Sequence, residues 1–197
     1  PLPELKSAPG VLIYDIESDS EAKEDFLHGF ISIHHNKNGE WDIENAKYHP
    51  LLMVYQDNES NRWRRLYRKL NRYSNWPILH YGETELMTVK KMAVRQSLDK
   101  KEIEFLEKRF IDVHKRLKSK WLLPVSNYGL KAIAEWVGFH WSQKNPNGAR
   151  ALLWWRQWKG KQKIKKRNLT SLNKIFIYNR DDCLATWLVA KWLLNQN

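Results

Sequence analysis

The stretch VLIYDIE, residues 11–17, is an apolar run that ends in two acidic side chains. Its apolar part shows no polar alternation, which is typical of a strand buried on both faces. Asp15 and Glu17 are two positions apart, so their side chains point to the same face of the strand. A divalent cation such as Mg²⁺ or Mn²⁺ would compensate two neighbouring buried carboxylates, whereas two acids facing water at a strand end are the alternative interpretation.

The segments that follow predict an α/β fold. Further strands are predicted at 26–35 and within 41–54, separated by the turn signal NKNG (36–39). A short buried strand is predicted at 76–81 and another short strand at 109–114. Six segments are predicted as helices, at 57–74, 83–95, 100–109, 127–139, 149–158 and 170–194. We therefore expect a mixed central sheet flanked by helices, in a single domain over 11–195 behind an extended lead-in at 1–10.

The composition restricts the possible functions. The chain has 197 residues, with 34 Lys and Arg against 22 Asp and Glu, so its formal net charge is +12. Such a charge favours a polyanionic partner, of which nucleic acid is the commonest and an anionic membrane surface the second; a basic protein without such a partner is the alternative. No apolar run is long enough for a transmembrane helix. The single cysteine, Cys183, excludes an internal disulfide and fits a reducing cytoplasm.

Two further acidic positions are candidates for the same centre. Glu85 follows a predicted buried strand, and the segment YNRDDC (178–183) lies in a predicted helix. Tyr178 and Asp182 are four residues apart and share a helix face, while Asp181 points about a quarter-turn away. Acids from three separate segments could converge on one metal centre, and two ions held roughly 3.5–4 Å apart by carboxylates are the usual arrangement for phosphodiester cleavage.

Four motifs in order resemble a known family. They are YDIES (14–18), HYGETE (80–85), YGLKAIAEWVGF (128–139) and YNRDDCLAT (178–186). Together they resemble the YprB-type ribonuclease H-like domain, which accompanies RecB-like nucleases and helicases. The order of the acids, with a tyrosine in the last motif, also resembles the DEDDy subgroup of 3′–5′ exonucleases. The resemblance spans about residues 10–195 and implies a ribonuclease H-like, DnaQ-like exonuclease fold.

The resemblance implies a role for each acid of these motifs. The ligands of two Mg²⁺ or Mn²⁺ ions would be Asp15, Glu17, Glu85 and Asp182. Tyr178 would orient the attacking water. The second motif departs from the DEDDy pattern, which has Asp with Asn four residues before it, whereas this chain has Glu85 and Tyr81. The longer side chain leaves open whether Glu85 binds metal directly or through water.

Two more acids, Asp112 and Asp181, are expected to contact the metal ligands without binding the metal themselves. For Asp112, direct binding of the metal is left open. Candidates for nucleic-acid contact are aromatic or basic, because adjacent aromatics and cations can stack bases and neutralise phosphates. They are Tyr81, Trp155, Trp158, Lys159, Lys161, Lys163, Lys165, Lys166 and Arg167. The alternatives are core packing for the tryptophans and a solvated loop or domain contact for the basic loop predicted at 159–168. The arginine-rich face of the helix predicted at 57–74 has the same possible interpretations: nucleic-acid binding, a solvated charged surface, or contact with another domain.

The functional expectation is a metal-dependent nuclease. The resemblance implies a 3′–5′ exonuclease that hydrolyses single-stranded DNA or RNA ends, with a RecB-like or helicase partner domain. We expect a cytoplasmic monomer. One alternative is a catalytically weak nucleic-acid-binding module within a larger nuclease–helicase, which would need no divalent ion. Another is a structure-specific endonuclease, which would use much the same carboxylates but would also cut a circular substrate.

Overall fold

The computed structural model describes residues 2–54, 58–162 and 169–196. Its strands are β1 (Gly10–Asp19), β2 (Glu24–His34), β3 (Lys47–Leu52), β4 (Ile78–His80) and β5 (Phe110–Asp112). Its α-helices are α1 (Glu59–Arg72), α2 (Thr84–Arg95), α3 (Lys100–Arg109), α4 (Val113–Lys118), α5 (Leu130–Trp136), α6 (Gly148–Gln162) and α7 (Leu169–Leu194). The expected α/β fold, with a mixed central sheet flanked by helices, is confirmed.

The sheet has five strands in the order β3-β2-β1-β4-β5. β1, β2 and β3 pair antiparallel as a meander, whereas β4 and β5 run parallel to β1. Because β1 and β4 are parallel neighbours, their carboxyl ends lie at the same edge of the sheet. Glu85, in the first turn of α2 just after β4, is thereby brought to the edge where β1 carries Asp15 and Glu17.

The two faces of β1 are buried under different helices. Val11 and Ile13 pack on the face covered by α4, α5 and α7, and Leu12 and Tyr14 pack under α1, α2 and α3 on the other. Side chains alternate along a strand, so the acidic pair at odd positions continues the face that α7 covers. The longest helix of the described chain is therefore packed against the strand that carries the first two acids.

Several local predictions are corrected by the structure. The extended lead-in contains a turn of 3₁₀ helix at Pro3–Leu5, because Leu2 and Leu5 are buried in the core beside β1. The predicted loop at 159–168 begins as helix, since α6 continues to Gln162; residues 163–168 lie outside the described residues. The helix predicted at 127–139 is limited to α5, which ends before Gly138 adopts a φ of 94°. None of the helices in the described parts of the chain combines the length and hydropathy needed to cross a membrane.

Candidate metal centre

Three carboxylates meet where α7 crosses β1. Asp15, Glu17 and Asp182 each offer an oxygen that lies within 4.8 Å of the other two, and we call this group the carboxylate cluster. Glu17 is 7% exposed and Asp182 is 8% exposed, so the cluster is largely shielded from water. The strand spacing supplies the first two acids on one face, and the packing of α7 supplies the third.

The carboxylate cluster is electrostatically unfavourable without a cation. Burial, followed by the charges of Glu17 and Asp182, raises the pKa of Asp15 well above its usual value. Burial and the charge of Asp182 do the same to the pKa of Glu17. Burial also raises the pKa of Asp182 to about 6. Desolvation and like-charge repulsion both penalise the ionised forms, and a bound cation would relieve both.

Unpaired oxygens at the site fit a divalent ion. Among the described residues, Oε1 of Glu17 and Oε2 of Glu85 are buried and have no hydrogen-bond partner. A buried carboxylate oxygen without a partner is rare in proteins and calls for a specific explanation such as an ion. Hard oxygen ligands suit Mg²⁺ and Mn²⁺, so the donor set agrees with the expected cofactor class.

Glu85 lies close to the carboxylate cluster but outside it. It is 4% exposed, and its charge contributes to the raised pKa values of Asp15 and Glu17. Its Oε2 lies 3.7 Å from Nδ1 of His80, and that ring nitrogen is 2.6 Å from the carbonyl oxygen of Gly82. The structure therefore places Glu85 near enough to the three carboxylates for its charge to act on two of them.

Tyr178 lies one helical turn before Asp182 on α7. The phenol and the carboxylate act on each other's pKa: their interaction raises the pKa of Tyr178 and lowers that of Asp182. Burial is the main cause of the raised pKa of Tyr178, so the hydroxyl stays protonated. A protonated phenol keeps lone pairs on its oxygen that can accept a hydrogen bond from water.

Sequence reasoning missed two residues that contact the carboxylate cluster. Nδ2 of Asn179 donates to Oδ2 of Asp15 at 2.7 Å, and Nε1 of Trp141 donates to Oδ1 of Asp182 at 2.7 Å. Asn179 lies inside the YNRDDC segment, so its position next to Tyr178 was a usable signal. Trp141 lies between α5 and α6, where no spacing relates it to the acids.

The two acids that were expected to contact the metal ligands, Asp181 and Asp112, accept hydrogen bonds from backbone N–H groups. Asp181 is buried, and its Oδ2 accepts from the backbone N–H of Ser142 at 2.9 Å and from the hydroxyl of Ser142 at 2.5 Å. Oδ1 of Asp112 accepts from the N–H of Gly82 at 3.0 Å and from that of Lys115 at 3.1 Å. Asp112 thus caps α4 and fixes the turn that leads from β4 to Glu85.

Two of the candidates for nucleic-acid contact, the tryptophans of α6, are placed differently from their prediction. Trp155 is 1% exposed and stacks on Phe26 at a centroid distance of 4.6 Å, and Trp158 is buried beside it. Base stacking by these two tryptophans is therefore corrected to core packing, because both rings join α6 to β2. Lys159 donates to Glu24 at 2.7 Å, and the Tyr81 hydroxyl donates to the carbonyl oxygen of Tyr128 at 2.6 Å.

The rest of the predicted basic segment is largely undescribed. Lys161 lies in α6, where only its backbone is described. Residues outside the described part of the chain are Lys163, Lys165, Lys166 and Arg167. Their proposed contact with phosphate stays a prediction.

Comparison with known proteins agrees with this geometry. A family model described as the RNase H superfamily matches residues 12–194, a range that contains all four sequence motifs. A search of curated proteins finds no match. The family match confirms the resemblance to the YprB-type ribonuclease H-like domain and, with the mixed five-stranded sheet, the ribonuclease H-like fold. The chain belongs to the RNase H superfamily.

Proposed function

We propose that this chain is a 3′–5′ exonuclease that hydrolyses single-stranded nucleic-acid ends with two bound Mg²⁺ or Mn²⁺ ions. Membership of the RNase H superfamily indicates a nuclease, and such nucleases generally use divalent metals. The observation that carries the proposal is the carboxylate cluster, in which Oε1 of Glu17 is buried without a partner among the described residues. The order of the acids and the tyrosine in the last motif support the exonuclease mode.

Each residue of the site has a proposed role. The metal ligands are Asp15, Glu17 and Asp182, with Glu85 completing the set directly or through water. Bound divalent ions supply positive charge that activates water and stabilises the leaving oxygen of the phosphodiester. Tyr178 keeps its proton, which is directed towards Asp182, and its oxygen accepts a hydrogen bond from the attacking water; this holds the water in line.

The test is a cleavage assay with substrates that separate the modes of attack. Single-stranded DNA and RNA, labelled at the 5′ end or at the 3′ end, are incubated with the protein and Mn²⁺, beside a circular single strand. A 3′–5′ exonuclease shortens the 5′-labelled strand as a ladder, releases the 3′ label at once as a mononucleotide, and leaves the circle intact. The activity is lost with EDTA and in Glu17→Gln, while the control Glu44→Gln, at an exposed acid, keeps it.

Two results would contradict the proposal in different ways. Cleavage of the circle would overturn the exonuclease mode and favour a structure-specific endonuclease that uses the same carboxylates. Intact substrates in Mn²⁺, together with salt-sensitive binding of the strand, would overturn the nuclease function and favour a nucleic-acid-binding module.

A further inference from the structure

Asn179 connects three elements of the fold at the metal centre. It is fully buried, and its Nδ2 donates to Oδ2 of Asp15 at 2.7 Å and approaches the Asp15 carbonyl oxygen at 3.4 Å. Its Oδ1 accepts from the hydroxyl of Tyr48 at 2.8 Å. The chain of hydrogen bonds therefore runs from β3 through α7 to β1.

The hydroxyl of Tyr48 fixes which end of the amide faces the acid. The phenol donates to Oδ1 of Asn179, so the NH₂ end is turned towards Asp15. The rotation of the Asp15 carboxyl group is thereby set by a donor that is itself held in place. Such outer partners of metal ligands set the orientation of the ligand and tune its affinity for the ion.

Gly29 provides the space that the amide occupies. It lies directly opposite Asp15 in the antiparallel pairing of β1 and β2. A Cβ at this position would lie 1.6 Å from Oδ1 of Asn179, which is far inside contact distance. Gly29 is not among the glycines with a positive φ, so the requirement for glycine here is space and not backbone conformation.

A neutral donor is the suitable partner for a carboxylate that has to bind a cation. Among the described residues, no Lys, Arg or His forms an ion pair with Asp15, Glu17 or Asp182. A fixed cation in that place would neutralise the carboxylate cluster and compete with a metal ion, whereas an amide orients the oxygen and leaves the negative charge available.

We infer that Asn179 is a positioning residue that, held by Tyr48 and admitted by Gly29, orients the Asp15 carboxylate for a divalent ion. The inference rests on the proposed function, because it assigns Asp15 to the metal ligands. It concerns the affinity for the ion, which can be measured without substrate.

The test is calorimetric titration of Mn²⁺ into the intact protein. Asn179→Ala removes all three of these hydrogen bonds, and we expect Mn²⁺ affinity to fall by about 10- to 100-fold, the usual effect of losing such a partner. Tyr48→Phe removes one oxygen and is expected to fold normally, with a smaller loss in the same direction. The matched control is Tyr128→Phe, which should leave Mn²⁺ affinity unchanged; within the described residues the Tyr128 hydroxyl bonds only to backbone of Trp121 and Leu123.

A double-mutant cycle tests the role of Gly29. Gly29→Ala places a methyl group against the amide, so it should weaken Mn²⁺ binding in the natural chain. In the Asn179→Ala background the collision partner is gone, and the same substitution should cost much less. Purely structural damage by the methyl group would instead add to the loss from Asn179→Ala.

Further outcomes separate failure of this inference from failure of the proposed function. If folded Asn179→Ala and Tyr48→Phe bind Mn²⁺ as the natural chain does, the positioning role is overturned while the metal centre stands. If the natural chain binds no more Mn²⁺ than Glu17→Gln, both are overturned. Excess Mn²⁺ should restore cleavage by Asn179→Ala but not by Asp15→Ala, because only the former keeps the ligand; absence of that rescue contradicts a positioning role.

Discussion

The indole N–H of Trp141 donates a 2.7 Å hydrogen bond to Oδ1 of Asp182. The next residue, Ser142, is bonded through its backbone and its hydroxyl to Asp181. Two consecutive acids of α7 are thus tied to two consecutive residues of the segment between α5 and α6. Trp141 favours the ionised form of Asp182, and this partly offsets burial, which raises the pKa of that carboxyl group to about 6.

Replacement of Trp141 by Phe should weaken metal binding most at acidic pH. Trp141→Phe keeps an aromatic ring but removes the donor, so the pKa of Asp182 should rise above its value of about 6. More of the carboxyl group is then protonated at pH ~6 than at pH ~8, and a protonated carboxyl group is a poor ligand. Titration of Mn²⁺ at both pH values should show the larger loss at the lower one. Trp136→Phe, at an exposed ring, is the control; an equal loss at both pH values would contradict the expectation.

Removal of one acid from the carboxylate cluster should stabilise the metal-free protein. Glu17→Gln removes like-charge repulsion and the desolvation of one charge, both of which oppose folding. We expect a Tm increase of about 2–4 °C in EDTA, corresponding to about 1 kcal/mol for a chain of this size. The increase in Tm that Mn²⁺ gives to the natural chain should disappear in the variant. A lower Tm in EDTA would show that repulsion is not significant there.

Glu85 and Glu17 should differ in their effect on metal binding. Glu85 lies beside the carboxylate cluster, with Oε2 3.7 Å from Nδ1 of His80. Glu85→Gln should therefore lower Mn²⁺ affinity less than Glu17→Gln does, because the three oxygens that converge within 4.8 Å are retained. Calorimetry on the two variants checks the order, and an equal or larger loss for Glu85→Gln would place it among the principal ligands.

Buried His28 should make the fold sensitive to mild acid. Its Nδ1 is hydrogen-bonded to the Tyr14 hydroxyl at 2.6 Å, and burial, aided by the charges of Arg62 and Arg65, lowers its pKa to about 4 against the opposing effect of Asp25. The unfolded chain, with a His pKa near ~6.5, binds more protons between these values. The stability from neutral His28 is therefore present above pH ~6.5 and is lost as the pH falls towards 4, by up to roughly 3 kcal/mol.

Urea unfolding at pH ~7 and pH ~4.5 measures this loss. His28→Gln should reduce the difference between the two free energies of unfolding, since glutamine does not titrate. His140→Gln, at an exposed histidine, should keep the difference. An unchanged difference in His28→Gln would assign the acid sensitivity to another group.

The outer face of α1 should bind phosphates on the side of the sheet opposite α7 and the carboxylate cluster. Most of its charged residues are cations, and neighbouring positive charges already act on one another: Arg72 helps to lower the pKa of Lys69, after burial. Lys69 and Arg72 likewise contribute to the lowered pKa of His49 on the edge strand β3, where burial is again the larger cause. A polyanionic backbone would relieve this repulsion.

Fluorescence anisotropy with single-stranded DNA in EDTA tests that surface. The triple variant Arg68→Gln/Lys69→Gln/Arg72→Gln should bind every DNA sequence more weakly. The slope of log binding constant against log salt concentration should become shallower by up to about 2, because each lost phosphate contact contributes roughly 0.7. A second triple variant at exposed lysines elsewhere, Lys6→Gln/Lys37→Gln/Lys118→Gln, has the same net charge and should change the slope less. Equal effects of the two variants would indicate that DNA binding depends on the net charge of the protein and not on this surface.

Local sequence was enough to predict much of the sheet and the faces of the strand and helix on which the acids of the metal centre lie. The stretch VLIYDI at 11–16, in which Asp15 is the one polar residue, predicts a strand buried on both faces, and that strand is found as β1. The two-residue period of a strand places Asp15 and Glu17 on one face whatever surrounds them. The four-residue spacing on a helix likewise places Tyr178 against Asp182.

Contacts between distant segments were decided only by the tertiary structure. The periodicity of side chains along a strand or helix predicts which face of that element a residue occupies. It does not predict which other element will pack against that face. Hence Trp155 and Trp158, expected to contact bases, are buried between α6 and β2. For the same reason Trp141 and Asn179, which hold the oxygens of Asp182 and Asp15, carry no periodic signal that relates them to those acids. The sequence by itself determined the acids and their faces; the packing of α7 against β1 decided that they meet, and which neutral donors hold them.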